Sequence, residues 1–392
     1  MDRKVLWITG LLLLLFTQSL RSTEHPNDIN DLQTLPDYLR YASLNNAELK
    51  ASFEEWKAAL EQIPQVKALD DPKFTYGYFI EEVETRVGPQ KHKFDIMQVF
   101  PWFGKIEART DAASAKAKAA GKRYETTKLK LFWQVKNTFA EYVYLAEAIK
   151  IAKENLELLK HFEEVARTKY ITATATHPDI IRAQIELARF DDVLKSLEQL
   201  REPRVARLNA VLNRPTTTEL DWPIKQTFQQ VNIDKTQLIQ MLKNQNPELA
   251  GLDWEIQAAK DNVELTKKKF YPDIGVGVNW IQTGSAIGSG VRDSGKDPVL
   301  LTFSMNLPLW QNNYKAAERQ AKTEVLKFRQ QKMDIENNLL ARAIQTLYDF
   351  EDSTRKMHLY GRVTRAESSI NCWCDWGVRC ALGIKIPRDF DR

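Results

Sequence analysis

Histidines, cysteines and a glycine-rich run are the residues of this chain best suited to chemistry, and none of them stands in a pattern that chemistry requires. His25, His92, His161, His177 and His358 are far apart, so no pair has the one-turn spacing that lets two imidazoles hold a catalytic metal. There is no glycine-rich phosphate loop and no nucleophile turn between a strand and a helix. Gly284, Gly288, Gly290 and Gly295 separate two strand-like segments, so they form a flexible loop between strands and not a dinucleotide site. Thiolates select soft metals, but Cys372, Cys374 and Cys380 lack the paired spacing of a built site. Glu163 and Glu164 are the solvated face of a coiled coil. The expectation is a protein with no catalytic residue, no metal and no cofactor, and not an enzyme.

Composition narrows the alternatives. With 43% hydrophobic and 28% charged residues in 392, the chain is too polar to be a multi-span helical membrane protein. Its net charge of +4 comes without any basic block, which argues against nucleic acid. Asp2, Arg3 and Lys4 precede an apolar run from Val5 to Phe16 and then small and polar residues to Ser22, the layout of a signal peptide over 1–22. That run is shorter than the roughly 20 residues a spanning helix needs. All three cysteines follow residue 371, so neither a lipid-attachment cysteine nor a disulfide framework is expected in the body.

The elements follow one order, written twice. After a linker over 23–37, a first repeat spans 38–214. Leu39, Ala42, Leu49, Phe53, Trp56 and Leu60 predict one amphipathic helix from Tyr38 to Val66. The period then becomes two: Phe74, Tyr76, Tyr78 and Ile80, and after Gly88-Pro89 the residues Phe94, Ile96 and Phe100, predict a β-hairpin over 73–101. A helix over 105–170, with no proline and only Gly121, would be about 100 Å long. Its seam of Phe132, Val135, Phe139, Tyr142, Ala146, Ile149, Leu156, Leu159 and Ala166 predicts coiled-coil packing. A tip over 171–179 reverses the chain, with Pro178 and Asp179 placed to start a returning helix. Past a linker over 215–246, the repeat over 247–366 has a helix from Pro247 to Phe270, a hairpin over 272–308 and a second long helix. Asn46-Ala47-Glu48-Leu49 echoes Asn246-Pro247-Glu248-Leu249, and Phe100-Pro101-Trp102-Phe103 echoes Leu307-Pro308-Leu309-Trp310.

Four alternating strands of membrane-spanning length cannot span alone, because lipid tolerates a sheet only when its edges are closed. Several chains must contribute to one barrel. Here the order of elements resembles the TolC-like outer-membrane efflux family from residue 38 to about 366. Val99 to Lys105 resembles that family's proline-containing barrel exit. Tyr170, Asp179, Ile180 and Ala183 resemble its first periplasmic tip, where the family often has Gly in place of Ala173. The resemblance implies an α+β, mostly α fold, with long coiled-coil helical hairpins and two β-hairpins contributing four strands per chain to an oligomeric transmembrane barrel. It implies a homotrimer of twelve strands in all, seated in outer-membrane lipid and extending into the periplasm. It also implies a periplasmic adaptor and an inner-membrane pump as partners, and export of small molecules, metal ions or proteins. Tyr170, Thr172, Thr174, Thr176, His177 and Asp179 would meet the adaptor; Pro101, Trp102, Gly104, Pro308 and Trp310 would form the barrel-to-helix corners.

The stretch 367–392 departs from this order. A second tip and returning helix are expected after the second rod, yet from Asn371 the helical period is lost and all the cysteines appear, as a frameshifted or truncated frame would give. The alternative reading is therefore a nonconducting truncated subunit, or a periplasmic coiled-coil scaffold.

Overall fold

The computed structural model describes residues 32–224 and 233–367; the signal-peptide and cysteine-tail expectations lie outside them. Along the chain run α1 (Leu35–Asn45), α2 (Ala47–Lys67), β1 (Lys73–Thr85), β2 (Gly88–Phe100), α3 (Lys105–Ile171), α4 (His177–Gln199), α5 (Arg201–Leu212), α6 (Lys235–Gln245), α7 (Pro247–Lys268), β3 (Ile274–Thr283), β4 (Val299–Met305) and α8 (Gln311–Glu367).

The helix expected from Tyr38 to Val66 is two helices, because Asn46 interrupts it. Its side-chain oxygen accepts from the Leu49 amide at 2.9 Å, capping α2, and its amide nitrogen donates to the Val211 carbonyl at 2.9 Å. Asn246 does the same between α6 and α7, accepting from Glu248 and Leu249 at 2.8 and 3.2 Å. The Asn-X-Glu-Leu echo is thus a repeated helix cap: a short polar side chain satisfies amides that have no partner within the helix. Helix α6, inside the stretch expected to be a linker, is short and has no buried residue, which is why its apolar pattern is faint. The returning helix is likewise split at Leu200. Pro203 has no N–H to offer Gln199, and its ring crowds that carbonyl.

Helix α3, 67 residues and about 100 Å long, is the spine. Near the sheet its alanines 112, 113, 115, 117, 119 and 120 are buried, which lets α2 and α7 approach on two sides. Further along, Leu131, Val135, Phe139 and Tyr142 form a core with Tyr38 and Ala42 of α1 and Val205, Leu208 and Leu212 of α5. Leu145, Ile149, Ala152 and Leu156 then meet Leu194 of α4. The expected seam is therefore present, with Leu145, Ala148 and Ala152 as further members, while Phe132, Leu159 and Ala166 are only half-buried. A separate small core joins α7 to α8 through Ile256, Ala259, Val263, Ala321 and Val325.

The four strands form one antiparallel sheet in the order β1-β2-β3-β4. Both hairpins are therefore halves of a single sheet, joined by the β2–β3 ladder.

Exchanging Asn246 for alanine should cost about 1 kcal/mol, the worth of a cap. Asn46→Ala should cost more, since it also strips the Val211 carbonyl of its donor. Urea unfolding of the detergent-folded variants, followed by helical circular dichroism, checks the order.

Candidate functional site

Sheet register decides which side chains share a face. Tyr76, Phe94, Trp280 and Val299 lie in one row across the four strands, and Phe74, Ile96, Val278 and Leu301 in the next. Phe303 with Val276, and Met305 with Ile274 and Phe100, continue the face toward the helices. These large apolar groups stand mostly exposed on the chain by itself, and Phe94 stacks on Trp280 at 5.1 Å. The opposite face carries Lys73, Thr75, Lys93, Asp95, Asn279, Thr302 and Ser304 together with Met97, Val99, Ile281 and Leu300, interspersed with glycine. An added Cβ would lie 2.2 Å from the Ser304 hydroxyl at Gly275 and 3.1 Å from the Ile96 carbonyl at Gly277, so this face is crowded. One face of the sheet is thus largely apolar and the other mixed and glycine-bearing, with β1 and β4 as free edges.

The glycine-rich connection between β3 and β4 is tied down at its stems. Gly284 donates to the Pro89 carbonyl and Gly295 to that of Val87, both at 2.7 Å, and the Asp297 carboxylate accepts from the Thr283 amide at 2.7 Å. The crown of the loop is open, with Ile287 exposed and nothing near a Cβ at Gly290.

The expected corner residues divide into two groups. Trp102 and Gly104 meet residues of the α7–β3 connection: the Trp102 ring stacks on Tyr271 at 5.5 Å with an interplanar angle of 8°. Lys105 places its ammonium 2.7 Å from the Asp273 carboxylate and 2.8 Å from the Tyr271 carbonyl, and the same carboxylate oxygen accepts from the Trp102 amide at 2.9 Å. Side-chain exposures of 11% and 27% leave this pair little screened by water. Gly104 turns the chain at φ 76°, where a Cβ would lie 2.6 Å from the Lys268 ammonium. Pro308 and Trp310 instead follow the free edge strand, and Trp310 is 79% exposed. The two proline corners look alike in sequence but sit in different surroundings. Lys105, Tyr271 and Asp273 escaped the sequence reading, although a lysine at the first position of a helix, where the dipole disfavours a cation, was a signal of an acidic partner.

At the tip, α3 ends at Ile171 and α4 begins at His177. The Lys169 carbonyl accepts from the Thr172 and Thr174 hydroxyls at 3.0 and 2.9 Å and from the Thr174 amide at 2.8 Å. Ala173 adopts φ 53°, the left-handed conformation that glycine takes without a Cβ penalty. Thr176 and Asp179 form a capping box, and the same box, Thr34 with Asp37, starts α1. Hydrogen bonds from the Thr176 hydroxyl and amide hold the Asp179 carboxyl below its ordinary value of 3.8. Tyr170 meets His177 edge to face at 5.7 Å, so all six expected tip residues do come together at one end of the molecule.

A four-stranded sheet with one exposed, largely apolar face, continued by a helical hairpin of such length, defines the class of TolC-like outer-membrane channels. Comparison with known proteins agrees. The outer membrane efflux protein family model matches residues 39–214 and 238–360, and the chain belongs to that family and is an outer-membrane protein. Its fold is similar to that of the outer-membrane channel OprN (TM-score 0.67, 16% identity, 90% of this chain and 81% of that one). It is also similar to CusC (TM-score 0.65, 14% identity, 85% and 82%). It is 24% identical over 193 residues to toxin and drug export protein A of Aggregatibacter actinomycetemcomitans, covering 49% of this chain and 42% of that protein. An uncharacterized protein of Haemophilus influenzae is 20% identical over 255 residues, 64% of this chain and 56% of that one. The chain spans about half the length of these curated relatives.

Asp273→Asn should destabilise the folded chain by on the order of 2 kcal/mol, by leaving the Lys105 ammonium unpaired, whereas replacing both partners by leucine and methionine should cost less. Thermal unfolding in detergent reads the difference. The tip should also respond to acid. Because the folded pKa of Asp179 is lowered, its contribution is complete above 3.8 and is lost as pH falls through the lower folded value. The protection factor of the Thr176 amide should therefore fall in that window and stay flat between pH 5 and 8.

Proposed function

We propose that this chain is the outer-membrane component of an export system, a passive duct. The observation that bears most weight is the four-stranded sheet, exposed and largely apolar on one face, crowded and mixed on the other, and unpaired at both edges. Unpaired strand edges have no place in lipid, and barrels close with an even number of strands, eight or more. Three copies edge to edge, β4 of one against β1 of the next, close a barrel of twelve. The α3–α4 hairpins then line a tunnel directed into the periplasm. At its end the Thr172–Asp179 tip offers hydroxyls and backbone groups to a periplasmic adaptor, which couples the duct to an energised inner-membrane pump. Pro101, Trp102 and Gly104, with Pro308 and Trp310, turn each strand into its helix. The cargo is a small molecule, metal ion or protein, selected upstream of the duct.

A nonconducting subunit is the second reading: Ile344, Tyr348, Met357 and Leu359 of α8 are about half exposed on the chain by itself, so this stretch of wall needs a partner before a tunnel is sealed.

Single-channel recording of the purified full chain in planar bilayers separates the two. Steady conductance with a trimer in cross-linking supports the duct; trimers without conductance support the nonconducting subunit; no bilayer retention at all sinks both. Changing Thr172, Thr174 and Thr176 together to alanine should leave conductance unchanged and weaken binding to a purified periplasmic adaptor at least tenfold, a loss of about 1.4 kcal/mol.

A further inference from the structure

The apolar face of the sheet has a measurable height. From the row of Phe100, Ile274 and Met305 to His92 is eight residues along β2, about 27 Å of strand, or roughly 20 Å of depth at the tilt of a closed barrel. The helical end of this band is therefore where hydrocarbon gives way to headgroups. Just beyond it Phe103, Leu307, Leu309 and Trp310 are 64–82% exposed, and Tyr271 is half exposed. The next layer is cationic. Lys267, Lys268 and Lys269 follow one another at the end of α7, and Lys315 lies in the first turns of α8. Of the carboxylates in this region, Glu264 pairs with Lys267 and Glu318 with Lys322 at 2.7 Å, Asp273 with Lys105 at 2.7 Å and Asp70 with Arg109 at 4.0 Å, while Glu107 and Asp71 form no ion pair among the described residues. Lys268, Lys269 and Lys315 have no ion pair among the described residues.

We propose that this collar, exposed aromatic rings above and unpaired lysines below, binds the phosphate headgroups of anionic phospholipids in the periplasm-facing leaflet. The inference rests on the barrel reading above and adds a lipid class to it. Aromatic side chains settle at the boundary between acyl chains and headgroups. A lysine one layer further out meets the phosphate plane, and its flexible stem lets the ammonium reach that plane from a range of tilts. Gly104 contributes by absence, since any side chain there would occupy the space of the Lys268 ammonium. The competing account is that lysines at the end of α7 only answer the helix dipole.

Native mass spectrometry of the detergent-solubilised full chain, titrated with phosphatidylglycerol and with phosphatidylcholine, tests the collar. The unaltered chain should prefer phosphatidylglycerol, and Lys268→Gln and Lys269→Gln should each reduce that preference roughly fivefold, with Lys→Arg restoring it. Equal affinity for the two lipids, or a preference that survives the double exchange, overturns the proposal. So does a double variant that melts earlier in neutral detergent while its lipid preference is unchanged, since the lysines would then serve the helix alone. Retention of the chain in pure phosphatidylcholine vesicles after alkaline washing reports on the barrel separately: if retention holds and lipid preference is absent, the collar fails alone; if retention fails, the barrel reading falls and the collar with it.

Discussion

The ammonium of Lys105, held between the Asp273 carboxylate and the Tyr271 carbonyl, joins the start of α3 to the start of β3. Two chain reversals from the two repeats are fastened there at one point. Asp273 also takes the Trp102 amide and, through its own amide and carbonyl, engages Asn306 beyond β4. One residue, through its carboxylate and its backbone, thus relates β2, β3, β4 and α3 at the plane where sheet becomes helix. A buried charge pair of this kind is seldom a large net source of stability, because both ions leave water to form it. Its value is directional. It rewards one angle between sheet and spine, and with Trp102 stacked on Tyr271 it leaves that angle little freedom.

Given that angle, the two sheet faces differ in kind: aromatic and branched side chains stand on one, while Gly275 and Gly277 permit close approach of Ser304 and the Ile96 carbonyl on the other. Unpaired strand edges and an exposed apolar face leave the sheet incomplete on one chain by itself. No helix among the described residues is long and apolar enough to cross a membrane.

Much of this was legible in the sequence, for reasons that particular residues make clear. Alternation in Phe74-Thr75-Tyr76 and in Val276-Gly277-Val278 marks strands with two unlike faces, and long stretches without proline mark the rods. The break at Asn46 was not legible because amphipathic spacing continues through it; a cap acts on backbone amides and leaves side-chain periodicity intact. Helix α6 was missed because it buries nothing. The Lys105–Asp273 pair spans 168 positions, and no local pattern reports such a contact. The echo of the two proline corners left their surroundings unread: similar text follows β2, in the middle of the sheet, and β4, at its edge.

Along α3 the packing loosens from one end to the other. Alanines hold it between two helices near the sheet, large apolar groups hold it against α1 and α5 at mid-length, and its last buried side chain is Leu156. Beyond that, Leu158, Phe162, Val165 and Ile171 are exposed, as are Ile181 and Ile185 on the returning helix. With little tertiary core, the tip keeps its shape by short-range means: the Lys169 carbonyl gathering Thr172 and Thr174, and the Thr176–Asp179 box. Local bonds of this kind are individually weak and open readily. The sheet end is thus clamped by a largely buried charge pair and the far end is held by hydroxyls, so the tip can change shape without disturbing the sheet.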